Sequence, residues 1–163
     1  MSAQNLSAAI NFGYTRLEDA FPQVDPDTDP LGGGVLIQIR RTATKTAGGL
    51  ELPTEVLDAE KQNTQVGKVI AVGPLAFHHR TTLEPWAEGA WVKPGDYVRI
   101  ARFNGFRFTV KWMDPAWRPA PARKRDEEAP RDKQVPEEIG FVIFEDHMLI
   151  ARVRDPLAVT SYL

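Results

Sequence analysis

The segment KTAGGLELP, Lys45 to Pro53, lies in a run from Thr42 to Gln65 that has neither the apolar period of a helix nor the alternation of a strand. The runs on either side are compact and rich in branched residues. VLIQIR, Val35 to Arg40, precedes it and VGKVIAV, Val66 to Val72, follows it, and both read as strands. A 24-residue loop exceeds the ~12–15 residues usual for a connection without structure of its own, so its length calls for a function. Gly48 and Gly49 free two successive backbone positions, and alternation along an extended chain then puts Leu50 and Leu52 on one side with Glu51 on the other. The stretch reads either as an arm with a small apolar tip that docks on a partner, or as a surface loop whose leucines fold back onto their own core.

On the first strand, Val35, Ile37 and Ile39 share one face, with Gln38 and Arg40 on the other. Gly32 to Gly34 just before it read as a turn, because a phosphate loop would need a following helix and a Gly-Lys-Ser/Thr ending. Pro74 ends the second strand, and Pro74 to Trp91, interrupted by Pro85 and Gly89, reads as a hairpin or irregular excursion. VKPGDYV, Val92 to Val98, puts Pro-Gly at the centre of a type II turn, from which Tyr97 to Ala101 leaves as a strand. Phe103, Phe106, Phe108 and Trp112 then alternate with Arg99, Arg102, Arg107 and Lys111 across a hairpin expected at Asn104-Gly105. That pattern suits an ordinary amphipathic hairpin, or a single-strand nucleic-acid platform in which rings stack on bases and cations meet phosphates. Gly140 to Phe144 and Met148 to Val153 close the domain as two strands around a polar turn, Glu145-Asp146-His147.

Two segments differ from this apolar scaffold. Residues 1–30 form an acidic leader with Arg16 against five acids, in which Thr15 and Glu18 fit a capping box and Ile10, Tyr14, Leu17 and Phe21 recur at helical spacing. Pro22 to Pro30 then reads as an extended linker. Pro115 to Glu138 carries five prolines, six basic and six acidic residues, a charge-balanced insertion whose Glu127-Glu128 and Glu137-Glu138 pairs are expected in solvent rather than in acid–base work. Residues 154–163 form a tail. The domain itself spans 31–153, with the loop at 42–65 and the excursion at 74–91.

Composition narrows the function classes. A chain of 163 residues, 42% hydrophobic, suits one domain with appendages, and no window approaches the ~18–20 apolar residues of a membrane span. Met1 to Tyr14 lacks the basic start and apolar stretch of a secretory signal, which makes the cytoplasm the expected location. With no cysteine there is no disulfide, thiolate catalyst or cysteine-bound metal, and a net charge of −2 argues against general nucleic-acid binding. His78 and His79 stand far from His147, and Ser2, Ser7 and Ser161 have no histidine partner in sequence context, so no metal set and no catalytic constellation is expected.

VLIQIRR, KTAGGLELP, GKVIAVG, VKPGDYV and FVIFEDHMLIARV resemble, in that order, the GroES-type co-chaperonins, the ring-forming lids of chaperonins. The resemblance covers roughly residues 31–113 and 139–153, and Ala-Gly-Gly followed by an apolar triplet is its most specific part. It implies an all-β, GroES-like partly open barrel with a long mobile loop and a roof hairpin at 74–91, assembled as a seven-fold ring. It further implies that Leu50, Glu51 and Leu52, hinged on Gly48 and Gly49, dock on an ATP-bound GroEL-type chaperonin and close a chamber around a protein substrate. The co-chaperonin would bind no nucleotide or other cofactor itself. Glu51 stands where the family carries an apolar residue. The leader and the insertion have no counterpart in short bacterial members and resemble elaborations of phage-encoded ones. The terminal strands, 35–40 and 148–153, are expected at the free edges that build the ring. A β-barrel single-stranded nucleic-acid-binding module and a virion structural protein are the alternatives.

Overall fold

A computed structural model describes residues 16–41, 66–101, 103–118 and 134–157. Within them a short helix α1 (Leu17–Ala20) precedes six strands: β1 (Gly34–Ile39), β2 (Val66–Val72), β3 (Tyr97–Arg99), β4 (Phe106–Trp112), β5 (Glu137–Glu145) and β6 (Ala151–Arg152). They form one sheet in the order β4-β5-β1-β2-β3-β6, and every neighbouring pair is antiparallel. The sheet is a partly open barrel. Among the described residues β4 and β6 are its edges, whereas β1, expected at an edge, lies in the middle between β5 and β2. Its nearly continuous apolar run explains the position, since a strand buried on both faces has no solvent side for polar residues.

A register shift between Leu36 and Ile37 leaves Ile70 of β2 unpaired and bends the sheet at its centre. Val35, Ile37, Val69, Val98, Val142 and Phe144 converge inside the curve, where Phe77 and Leu149 complete the core. Gly67 is required on this route. A Cβ there would run into Cγ2 of Ile37, on the strand paired with it.

The opposite face of the sheet also carries a core, and the leader covers part of it. Leu36, Ile139 and Phe141 are buried there, with Val24 of the leader packed on them. Gln38, expected on a polar face, is buried and donates from Nε2 to the Pro22 carbonyl at 2.9 Å. Ala20 and Phe21 pack with Val66, and Tyr97 and Leu157 close over them. Burying a phenylalanine contributes ~1.5–3 kcal/mol, so the leader is part of the fold from at least Ala20 onward. The boundaries at 30 and 154 are corrected accordingly. Pro22 to Pro30 is largely extended but bends at Asp27, which takes φ 50° and donates its amide to Asp25 Oδ1 at 2.9 Å, and Val24 packs the run against the sheet rather than leaving it to link freely. The capping box is also corrected: Arg16 is the N-cap and makes no side-chain capping bond. The rest of the expected helix, before residue 16, lies outside the described residues.

The turns follow their chemistry. Gly95 takes φ 97°, as a type II turn requires after Pro94, and Asp96 bonds back to the Lys93 amide through Oδ2 at 3.0 Å. Residues 74–91 form a small hairpin around a single bridge between His78 and Pro85, in which the Trp86 amide donates to the Phe77 carbonyl at 2.9 Å. Asn104 and Gly105 both take φ 79°, but the hairpin expected across them does not form. β3 is already paired on both sides, by β2 and β6, and β4 crosses to pair with β5 along its whole length. The strand that closes against β4 accordingly begins at Glu137, not Gly140, and the segment between them is the connection of a β4–β5 hairpin.

The polar turn after β5 is a 3-10 turn, Asp146–Met148, followed by the two-residue β6 in place of a longer final strand. Asp146 is 2% exposed. Its Oδ2 accepts from the Phe77 amide at 2.8 Å and its Oδ1 from the His147 amide at 2.7 Å, fastening the 74–91 hairpin to the end of β5.

Candidate functional site

Gly48, Gly49, Leu50, Glu51 and Leu52 all fall within 42–65, outside the described residues. The structure does describe where that stretch is rooted. β1 and β2 run antiparallel to its two ends, with Ile39 opposite Gly67, and the Arg40 amide donates to the Val66 carbonyl at 3.0 Å. The 24 residues between Arg41 and Val66 thus start and finish at one closed neck.

Arg40 and Arg41, which hydrophobic patterning leaves as plain polar positions, fix that neck on both flanks. Arg40 donates from Nη1 to the Pro156 carbonyl at 2.9 Å. Arg41 turns the other way: Nε and Nη2 reach the two carboxylate oxygens of Glu137 at 2.7 and 2.5 Å, and Nη2 lies 3.4 Å from Asp114 Oδ2. Its guanidinium carbon sits 5.2 Å from the centroid of the Trp112 ring, and its backbone amide donates to the Ala20 carbonyl at 2.9 Å. A planar fork meeting a carboxylate with two parallel bonds is the strong form of an ion pair, and the Arg41 side chain is only 15% exposed. Glu137, expected in solvent, is therefore corrected to a structural partner. Pairing of the loop root with Asp114 and Glu137 could not be read from spacing, because the contact spans 73 and 96 residues of sequence.

The arginine–aromatic stretch is divided by the pleat. Phe106, Phe108, Val110 and Trp112 lie on the leader-covered side, where Phe108 stacks on Phe141 at 5.5 Å with 15° between the rings. Arg107 sits opposite Val142 on the other face, its Nη2 bonded to the Ala101 carbonyl, and burial pulls its guanidinium below the ordinary value. Rings and cations on opposite faces do not form an interleaved platform for one strand of bases. On the leader side, burial raises the Tyr97 phenol above its ordinary value, and the charge of Glu18 adds to the effect.

Among the described residues, no group of three or more His, Cys, Asp or Glu side chains is placed to hold a metal, and no helix is long and apolar enough to cross a membrane. The chemistry on offer is that of a scaffold and its edges. Trp91, Val92, Leu149 and Ile150 line a groove beside β6, with Ile150 81% exposed, and Phe106 at the start of β4 is 68% exposed.

Comparison with known proteins bears on the same stretch of chain. The family described as the chaperonin 10 kDa subunit matches residues 27–114, which include β1, the loop, β2, β3 and β4. Among curated relatives, co-chaperonin GroES of Listeria welshimeri is 35% identical over 85 residues, 52% of this chain and 82% of that protein. Co-chaperonin GroES of Deinococcus radiodurans is 42% identical over 84 residues, 50% of this chain and 79% of that protein. That of Caulobacter sp. is 33% identical over 85 residues, covering 80% of its length.

Proposed function

The chain belongs to the chaperonin 10 kDa subunit family and is a co-chaperonin of the GroES type, and on that premise we propose how it acts. Its subunits assemble into a seven-fold ring, and each contributes Leu50, Glu51 and Leu52, hinged on Gly48 and Gly49, to a GroEL-type chaperonin that holds ATP. The ring closes a chamber in which a protein substrate folds, and it binds neither nucleotide nor metal itself. It works in the cytoplasm, that of the host if the leader and the 115–138 segment mark a phage-encoded member.

The observation that carries this reading is the closed neck between the central strands β1 and β2, from which the 24-residue stretch with the sequence Gly-Gly-Leu-Glu-Leu departs. Free edges at β4 and β6 support the ring, because an exposed edge is a template for pairing and a head-to-tail contact closes into a cycle. Sedimentation velocity of the isolated protein is expected to give one species of seven 18.2-kDa chains, about 127 kDa. A protein that stays monomeric at micromolar concentration, with or without chaperonin, contradicts the assignment.

A further inference from the structure

Arg41 is the last described residue before the loop, and segments remote in sequence converge on it. The helix α1 contributes the Asp19 and Ala20 carbonyls, the end of β4 contributes Trp112 and Asp114, and the start of β5 contributes Glu137. The last two groups frame the 115–136 connection: the Gln134 side chain donates to the Asp114 carbonyl at 2.8 Å, so that connection too is closed at its base. The leader, the loop and the β4–β5 connection are thus rooted at one corner of the sheet.

We propose that Arg41 is a positioning residue for chaperonin docking, setting the direction in which the loop leaves the sheet and tying that direction to the leader and to the β4–β5 connection. The inference rests on the docking role assigned above to Leu50 and Leu52. A tether fixed in direction at its root confines its tip to a smaller volume, which raises the effective concentration of each tip at its site once one arm has bound. Such a gain is small for one arm and large for a ring. A loss of roughly twofold per arm compounds to roughly a hundredfold over seven. Lysine at this position would keep the charge but not the paired bonds to Glu137, and an ammonium is a poorer match for the Trp112 face.

The test uses full-length rings carrying Arg41→Lys, Glu137→Gln or both, with a purified GroEL-type chaperonin and ATP as the probe. For each ring the chaperonin affinity, the sedimentation coefficient and the unfolding midpoint are measured. The expected result is a loss of affinity of about tenfold or more in each single variant, no greater in the double, at unchanged ring size and under conditions where every ring stays folded, the lost ion pair lowering the midpoint itself. Wild-type affinity in both single variants overturns the proposal. So does an affinity loss that appears only where the ring dissociates or unfolds, which would make the cluster merely structural. A Leu50→Ala ring run alongside separates the two readings: if it binds as wild type does, the docking role itself has failed.

Discussion

Rings carrying Leu50→Ala or Leu52→Ala are expected to assemble normally and to lose capping of the chaperonin. Burying a leucine contributes ~1.5–3 kcal/mol, so the two together supply at most ~3–6 kcal/mol per subunit. Ordering the arm opposes this at ~1–2 kcal/mol per backbone residue fixed. A single arm is therefore expected to bind weakly, and on the proposed assembly useful affinity arises from several arms held on one ring. Truncating one leucine removes a large part of the favourable term at every subunit at once, so the effect on the ring is the single-arm effect raised to the number of arms. Glu51→Val is expected to be tolerated, since alternation along an extended arm would turn residue 51 away from the two leucines. Co-sedimentation with chaperonin and ATP reads each variant, and capping at the wild-type level by both alanine rings would remove the loop from the account.

Asp146→Ala is expected to destabilise the fold by roughly 1–3 kcal/mol. The carboxylate is buried and accepts from two backbone amides; alanine would leave the buried Phe77 amide unpaired, whereas the His147 amide lies near the surface and can turn to water. A buried donor left unpaired costs about 1–3 kcal/mol. The ion pair with Arg80 adds little, being 3.9 Å long with an Arg80 side chain 64% exposed. Asp146→Asn keeps one acceptor oxygen and is expected to lose about half as much. Denaturant unfolding at fixed protein concentration distinguishes the cases, because the proposed ring assembly would make the midpoint depend on concentration. An unchanged midpoint in Asp146→Ala would show that the 74–91 hairpin is held by its apolar side chains alone, through Phe77 with Trp86 and Trp91.

Features decided locally were legible before the structure. β2 runs over Val66–Val72 as its branched residues predict, and the Pro94-Gly95 turn follows from the left-handed backbone that Gly95 adopts. Features decided by a distant partner were not. Asn104-Gly105 does turn the chain, yet nothing near it in sequence says that β3 is already paired on both sides and that β4 must find β5 across the 113–136 segment. Glu137 reads as a solvated acid until Arg41 is brought beside it, and Asp146 reads as a turn residue until the Phe77 amide needs an acceptor. Val24 sits among prolines and acids that signal a free linker, and only the outer face of the sheet shows why it is apolar. The tip expected at Leu50 to Leu52 lies outside the described residues, so its chemistry rests on the glycines before it and the spacing of its leucines alone.

The central claim is tested most directly by mixing the purified ring with a GroEL-type chaperonin in the presence and absence of ATP and measuring the complex by sedimentation. The account predicts a stable complex with ATP, none without it, and none with ATP when Leu50 and Leu52 are both alanine. A ring that does not associate in ATP, or that associates equally well without nucleotide and without the two leucines, would contradict it.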